Sequence, residues 1–239
     1  MSNSKQYQLL SAATKSSAHY QVAKQESTKE YSASEVFSNA FRDVLYGNFK
    51  GYAVQPDFGN CTLKENKANR DSWRALNEGK QHILQKDFDL LGAMQNALQE
   101  TTSIAALSVV TLPETTYNGV TIEAQTLMTD SQGNFFYHSA VSDVSEDAYM
   151  GAFKKYGLDM RVGLQQLHLE LSGHNVQTIS TVVVEKDAPH AVGVYKYAVN
   201  SPLLKNRAEA ALLLVAQYED TGECALLAPV VVELSGWVM

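Results

Sequence analysis

The hydrophobic pattern of this 239-residue chain changes from helical to strand period and back, and that order restricts the possible folds most strongly. Ser32-Ala33-Ser34-Glu35 has the composition of a helix start, and apolar residues follow at amphipathic spacing as far as Gly47. Residues 51–65 have no sustained period and are expected to form an irregular connection. Two further helices are then predicted, over about residues 67–77 and 86–98.

After Glu100, three short β-rich runs separated by turn residues predict an antiparallel meander. They cover residues 104–112, 120–128 and 134–141. The elements predicted after them are a long helix over 146–171, strands over 178–185 and 192–199, a helix over 202–218 and a short strand over 230–234. This order predicts a mixed α/β (α+β) domain in which helices flank a central mixed sheet.

Composition predicts one ordinary globular domain. Hydrophobic residues make up 45% of the chain and charged residues 19%. We expect a polar, mobile N-terminal arm over residues 1–34 and a single domain over 35–239. No apolar run is long enough for a signal peptide or a membrane-spanning helix, so we expect a protein of the cytoplasm without membrane association.

Charge and cysteine content exclude some kinds of site. The formal net charge of -7 argues against a strong nonspecific grip on nucleic acid, although a local basic groove remains compatible with it. Cys61 and Cys224 are far apart and lack metal-ligand spacing, so neither a disulfide framework nor a zinc site is indicated. We expect both to be buried free thiols.

Four stretches together resemble one protein family. "SSAHYQVAKQ" (16–25) is similar to a Ser-Pro-Ala-His-Tyr segment, with Ser17 in place of proline. "VFSNAFRDVL" (36–45) is similar to a helix of pattern Phe-Gly-x-Ala-x-His-x-x-Leu, and "ANRDSWRALNEGK" to a helix with a central tryptophan. Residues 182–223 resemble a strand pair and closing helix. The family is that of the phage and prophage exonuclease VIII (RecE-type) exodeoxyribonucleases, and it implies a restriction-endonuclease-like PD-(D/E)xK core.

The resemblance also implies a metal site, and this chain lacks its residues. The family places an aspartate on one strand and Asp-x-Lys on the next, so that acidic ligands hold divalent metals beside a lysine. Here the second aspartate falls on Tyr137 or His138, and the lysine falls on Ser139 or Ala140. The upstream aspartate falls near Thr126 or Leu127, and neither is acidic.

Two helices are altered in the same way. Arg42 stands where the family's first helix has histidine, and Arg161 stands where a later helix has glutamine. We therefore expect no catalytic residue, no bound metal and no cofactor. The altered pocket positions are predicted to be Arg42, Leu127, His138, Ala140 and Arg161. The two arginines would either replace the missing cation structurally or bind a phosphate without cutting it.

A relocated metal site is the alternative. His138 with Asp130 or Glu123 would hold Mg²⁺ or Mn²⁺ in that case, although the two acids are an odd number of residues apart and would face opposite ways on a regular strand. Asp143, Glu146 and Asp147 are better explained as the acidic start of the next helix. Lys154, Lys155 and Arg161 are candidates for DNA contact, with a solvated helix face as the alternative.

These observations lead to three functional hypotheses. The first is a catalytically inactive relative of a phage 5′-to-3′ double-stranded DNA exonuclease, which acts as a DNA- or protein-binding component in phage recombination or host interaction. The resemblance implies a homo-oligomer in the bacterial host cytoplasm, with duplex DNA, a single-strand annealing protein or a host protein as partner. The second is an active metal-dependent exonuclease with a rearranged site, and the third is a protein-binding decoy of a host defence or repair factor.

Overall fold

The computed structural model describes residues 4–27, 31–101, 106–199 and 202–221. The helices in these ranges are α1 (Ser4–Ala13), α2 (Ser17–Ser27), α3 (Ala33–Leu45), α4 (Lys64–Leu76), α5 (Gln85–Thr101), α6 (Glu146–Tyr156), α7 (Leu158–Leu171) and α8 (Leu203–Thr221). The strands are β1 (Tyr52–Gln55), β2 (Gln81–Leu84), β3 (Ser108–Leu112), β4 (Thr115–Tyr117), β5 (Val120–Ile122), β6 (Gln125–Thr129), β7 (Asn134–Val141), β8 (Thr178–Glu185) and β9 (Val192–Ala198). A 3₁₀ turn, Phe49–Gly51, precedes β1.

A five-stranded mixed sheet in the order β3-β6-β7-β8-β9 forms the centre of the fold. Strands β3, β6 and β7 are antiparallel neighbours, which confirms the predicted meander. The β7–β8 pair is parallel along its full length, from Asn134↔Thr178 to Val141↔Glu185, and β9 returns antiparallel to β8. A parallel pair needs a long crossover, and α6 and α7 supply it here. The predicted mixed sheet flanked by helices is confirmed.

Helices cover both faces of this sheet. One face packs against α3 and α5, where Phe41, Leu91 and Met94 meet Val182. The other face packs against α7 through a smaller cluster that includes Leu127, Val162 and Ile179. Helices α1 and α8 form a further layer on the outer side of α7. The central strand β8 is thus buried on both sides, whereas the edge strands β3 and β9 remain partly exposed.

The predicted long helix over 146–171 is two helices. Gly157 separates α6 from α7 and adopts a left-handed conformation, with φ of 65°. A Cβ at this position would lie 2.7 Å from the Ser11 hydroxyl oxygen of α1, so the close approach of α1 also requires glycine. The bend arises from this one residue, and the hydrophobic period on either side does not reveal it.

The N-terminal segment differs from the expected mobile arm. Residues 4–27 form α1 and α2, and the side chains of Tyr7, Leu10 and Tyr20 are buried against α7 and α8. Most of the large apolar residues of these helices lie on the face that the rest of the protein covers, although Val22 is exposed. Composition alone did not reveal this packing.

Several short elements were not predicted. Strands β1 and β2 form a separate parallel pair joined by α4, and β1 lies in the stretch expected to be irregular. Strand β4 pairs with β5 in a hairpin with the turn Asn118-Gly119. The strand predicted over 120–128 is therefore two strands, β5 and β6, which belong to different sheets. Cys61 is only half-buried, whereas burial was expected. The predicted strand over 230–234 and Cys224 lie outside the described residues. No helix in the described ranges has the length and apolar content needed to cross a membrane.

Candidate functional site

A cavity of about 560 Å³ lies where β6 and β7 separate. The β6–β7 pairing ends at Met128↔Phe136, while β7 stays paired with β8 as far as Val141. The polar and aromatic side chains that line this cavity come from α1, α3, α7, the strands and the connections around them: Tyr7, Tyr31, Asn39, Arg42, Asp43, Tyr46, Asn48, Tyr52, Gln81, Thr111, Gln125, Thr126, Tyr137, Arg161 and Gln165. We call this cavity the arginine pocket.

The alternation of side chains along β7 decides which predicted positions reach the arginine pocket. Tyr137 lines the arginine pocket. His138 and Ala140 lie on the opposite face of β7, and Ala140 packs in the core. Ala140 belongs to the cluster beneath α3 and α5, and Leu127 packs against α7. The structure therefore departs from the expected set, since Leu127, His138 and Ala140 do not line the cavity. Arg42 and Arg161 do, together with Thr126.

Arg161 is the most deeply placed cation in the pocket wall, with 7% of its surface exposed. Its guanidinium carbon lies 4.2 Å from the centre of the Tyr137 ring and 6.0 Å from that of Tyr7. One terminal nitrogen donates to the Thr181 hydroxyl at 3.2 Å, while the buried Nε has no hydrogen-bond partner. Within the described residues no carboxylate pairs with Arg161. A guanidinium does not lose its proton in a protein, so this buried charge is uncompensated by an acid.

Arg42 reaches the same ring from α3. It is 8% exposed, its guanidinium carbon lies 5.0 Å from the Tyr137 ring centre, and it donates to the side-chain oxygen of Asn39. Asn39 lies one helical turn earlier, where the spacing brings the two side chains together. Two cations from opposite helical layers therefore converge on one aromatic ring, an attractive arrangement because the ring face carries negative charge density.

Three tyrosines of the pocket, Tyr7, Tyr46 and Tyr52, do not neutralise these cations. Burial raises the pKa of the Tyr7 hydroxyl and that of Tyr46. Burial, and then the hydrogen bond to Asp43, raises the pKa of Tyr52, whose hydroxyl donates to that carboxylate at 2.8 Å. All three stay protonated at neutral pH and present neutral hydroxyl groups. Among the described residues that line the cavity, Asp43 is the carboxylate.

His138 is fully buried beside this pocket, and its surroundings favour the neutral imidazole. Its Nδ1 lies 3.4 Å from the Tyr46 hydroxyl, and its Nε2 has no hydrogen-bond partner. Burial, and then the nearby charge of Arg42, lowers the pKa of His138 to about 4. A neutral imidazole is a metal ligand in principle, but it needs further ligands.

The acids proposed as those further ligands have other roles. Asp130 closes the β6–β7 turn by accepting hydrogen bonds from the Asn134 backbone and side chain and from the Gln132 backbone, which lower its pKa. Glu123 is half-buried, and burial raises its pKa. Across the described ranges, no group of three or more His, Cys, Asp or Glu side chains is arranged to hold a metal ion. No such group of described residues combines His138 with Asp130 or Glu123.

The remaining predicted DNA contacts lie on α6. Lys155 is exposed, with its ammonium nitrogen 5.1 Å from the Tyr156 ring centre, and it does not line the pocket. The side chain of Lys154 lies outside the described set. At the start of this helix Ser145 is the N-cap, with Glu146 and Asp147 in the first turn, as predicted. Sequence reasoning missed Tyr7, Tyr31, Asn39 and Tyr52, which no motif identifies.

Comparison with known proteins supports the fold. No protein-family model and no curated protein matches this sequence. Among solved structures, the chain is similar to a candidate exonuclease from Eubacterium rectale, with a TM-score of 0.55 and 9% sequence identity. The match covers 89% of this chain and 79% of that one. At this identity the similarity shows a shared fold, a central mixed sheet flanked by helices.

Proposed function

We propose that this protein is a catalytically inactive relative of the exonuclease VIII-type nucleases, and that it binds DNA as a component of phage recombination in the bacterial cytoplasm. The observation that carries the proposal is the arginine pocket. The pocket lies at the separating strands β6 and β7, where the resemblance would place metal-binding acids. Its wall instead contains Arg42 and Arg161 around Tyr137.

The chemistry of the wall favours binding over hydrolysis. Metal-assisted phosphodiester cleavage needs acidic ligands that hold the ion and position the attacking water. Buried guanidinium groups repel such an ion, but they form strong, directional hydrogen bonds with phosphate oxygens. The pocket thus retains affinity for the anionic backbone of DNA without the groups that would cut it.

The first test is degradation of end-labelled linear duplex DNA with Mg²⁺ or Mn²⁺, comparing the parent with a His138→Ala, Asp130→Ala double variant. We expect intact DNA with both proteins. Metal-dependent degradation by the parent that the double variant loses would establish the rearranged active site and refute the proposal.

Binding is tested by fluorescence anisotropy with a labelled duplex at moderate salt. Arg42→Gln and Arg161→Gln are expected to weaken binding by about tenfold each, since each removes a charged hydrogen-bond donor. Lys196→Gln is the matched control, because it removes one positive charge from the exposed surface of β9. Equal loss in all three variants would indicate nonspecific attraction, and no DNA binding by the parent would favour the protein-binding decoy.

A further inference from the structure

The arginine pocket contains polar atoms that its own side chains leave without partners. Arg161 Nε is one, and the side-chain oxygen of Gln165 is another, in a residue that is only 2% exposed. The two residues are four apart on α7 and both line the cavity, so they lie on the same face of the helix. Buried polar groups in folded proteins are nearly always paired. These atoms therefore indicate a polar group that enters the cavity.

The charge of the wall indicates that this group is an anion. Arg161 and Arg42 are both more than nine-tenths buried, and Arg161 has no acid partner in the described part of the chain. Both guanidinium groups lie against the Tyr137 ring. A phosphate group has several acceptor oxygens and would satisfy Arg161 Nε as well as offset the buried charge.

The volume of the cavity and its other lining residues indicate a ligand larger than a phosphate ion. The cavity of about 560 Å³ falls in the range of small-molecule pockets. Its wall includes the rings of Tyr7, Tyr31 and Tyr52 and the side-chain amides of Asn48 and Gln81. Aromatic rings stack on nucleobases, and amides hydrogen-bond to base edges. The Asp43 carboxylate in the same wall can accept hydrogen bonds from base amino groups, and it would repel the added charge of a triphosphate.

We propose that the arginine pocket binds a free nucleoside monophosphate, with the phosphate at Arg161 and Arg42 and the base among the tyrosine and amide side chains. This inference rests on the proposed function, because a site without hydrolytic groups holds its ligand intact. The pocket chemistry recognises a nucleoside phosphomonoester, which exists as a free nucleotide or at a DNA terminus. The free nucleotide is favoured because a cavity of about 560 Å³ has the size of a small-molecule site.

The test is isothermal titration calorimetry of the full chain in EDTA with each of the four deoxynucleoside 5′-monophosphates. Inorganic phosphate and the matching nucleosides are titrated in parallel. We expect at least one monophosphate to bind about tenfold or more tightly than either inorganic phosphate or its nucleoside. Equal affinity for phosphate alone, or no binding of any nucleotide, would overturn the inference.

Variants locate the site. Arg161→Gln is expected to weaken nucleotide binding by about tenfold or more, and Gln165→Leu by about threefold to tenfold, while Lys196→Gln leaves it unchanged. Circular dichroism shows whether each variant is folded. Unchanged affinity in the folded Arg161→Gln and Gln165→Leu variants would place the nucleotide elsewhere and refute the assignment.

Competition separates this inference from the proposed function. Short duplexes with a 5′-phosphate or a 5′-hydroxyl are added to the nucleotide complex. Displacement only by the phosphorylated duplex, at lower concentration than free nucleotide, would assign the site to a DNA terminus and overturn the free-nucleotide assignment. DNA binding without nucleotide binding refutes this inference alone. Metal-dependent degradation of DNA, with nucleotide binding in EDTA retained, refutes the proposed function alone.

Discussion

The guanidinium carbon of Arg161 lies 4.2 Å from the centre of the Tyr137 ring, which stands at the point where β6 leaves β7. A cation and an aromatic ring at this distance attract each other, but the attraction is small beside the cost of removing a charge from water. Arg161 retains one hydrogen bond to Thr181 and no acid partner among the described residues. The arrangement costs stability in the ligand-free protein, which is typical of residues retained for binding.

The first prediction follows from that cost. Arg161→Met keeps much of the side-chain volume and removes the buried charge, so we expect the free energy of unfolding to rise by about 1 kcal/mol. DNA binding is expected to weaken in the same variant. Urea unfolding at pH 7, with Lys196→Gln as the surface control, measures the first quantity. A loss of about 2 kcal/mol or more would instead show that Arg161 is a structural replacement for the missing cation.

The second prediction concerns pH. The pKa of His138 is lowered from 6.5 to about 4, so the unfolded chain takes up the proton first as the pH falls. The stability from the neutral His138 is fully present above about pH 6.5 and is lost progressively as the pH falls through the folded-state value. This loss amounts to about 2 kcal/mol between pH 7 and pH 5.

Urea unfolding at several pH values, for the parent and for His138→Leu, isolates this contribution. Leucine does not titrate, so the variant should show a slope of stability against pH that is smaller by about 2 kcal/mol over this interval. Identical slopes would mean that His138 titrates normally in the folded protein.

The third prediction tests the close packing of α7 on α8. A Cβ at Gly163 would overlap the Leu204 carbonyl oxygen and lie 3.3 Å from Ala208 Cβ. We expect Gly163→Ala to destabilise the protein by about 2–3 kcal/mol, because the helices must separate. Gly151→Ala in α6 is the control, since nothing lies within 4 Å of its added Cβ, and it should stabilise by about 0.5 kcal/mol. Thermal or urea unfolding measures the free energy of unfolding of both variants. Similar changes in the two variants would contradict the close packing of α7 on α8.

The fourth prediction concerns the start of α3, the helix that carries Asn39 and Arg42. The Ser32 hydroxyl accepts from the Glu35 backbone, and the Glu35 side chain accepts from the Ser32 backbone, which forms a reciprocal cap. Ser32→Ala is expected to cost about 1 kcal/mol of unfolding free energy. Ser34→Ala, in the exposed first turn, should change it little. An equal effect of the two substitutions would show that the cap contributes nothing.

The long periodic segments of this fold were predictable from sequence. A hydrophobic period repeats over several residues in each of these segments. They are the helix after Ser32, the meander over β3, β6 and β7, and the pair β8 and β9. Strands β4 and β5 have three residues each, which is too short for a period to be recognised. The same limit applies to β1 and β2, with four residues each.

The pocket was predictable only in part. The substitutions at Arg42 and Arg161 were visible because the resemblance supplied the positions to inspect. The sequence did not show whether Tyr137 or His138 faces the cavity. A shift of one residue in the alignment of a strand exchanges the residues on its two faces. The contribution of Tyr7 was also hidden, since it lies more than 150 residues before Arg161 and reaches it only through the packing of α1 on α7.

The sequence by itself determined the order of helices and strands and the absence of the family's acids and lysine from their expected positions, because both are local properties of the chain. The tertiary structure decided that β6 and β7 separate, that α1 packs on α7, and that two arginines from opposite helical layers meet at Tyr137. Burial, charge compensation and the facing of side chains depend on contacts between residues that are distant in the chain. Those contacts form only when the layers pack together, so the arginine pocket exists only in the folded protein.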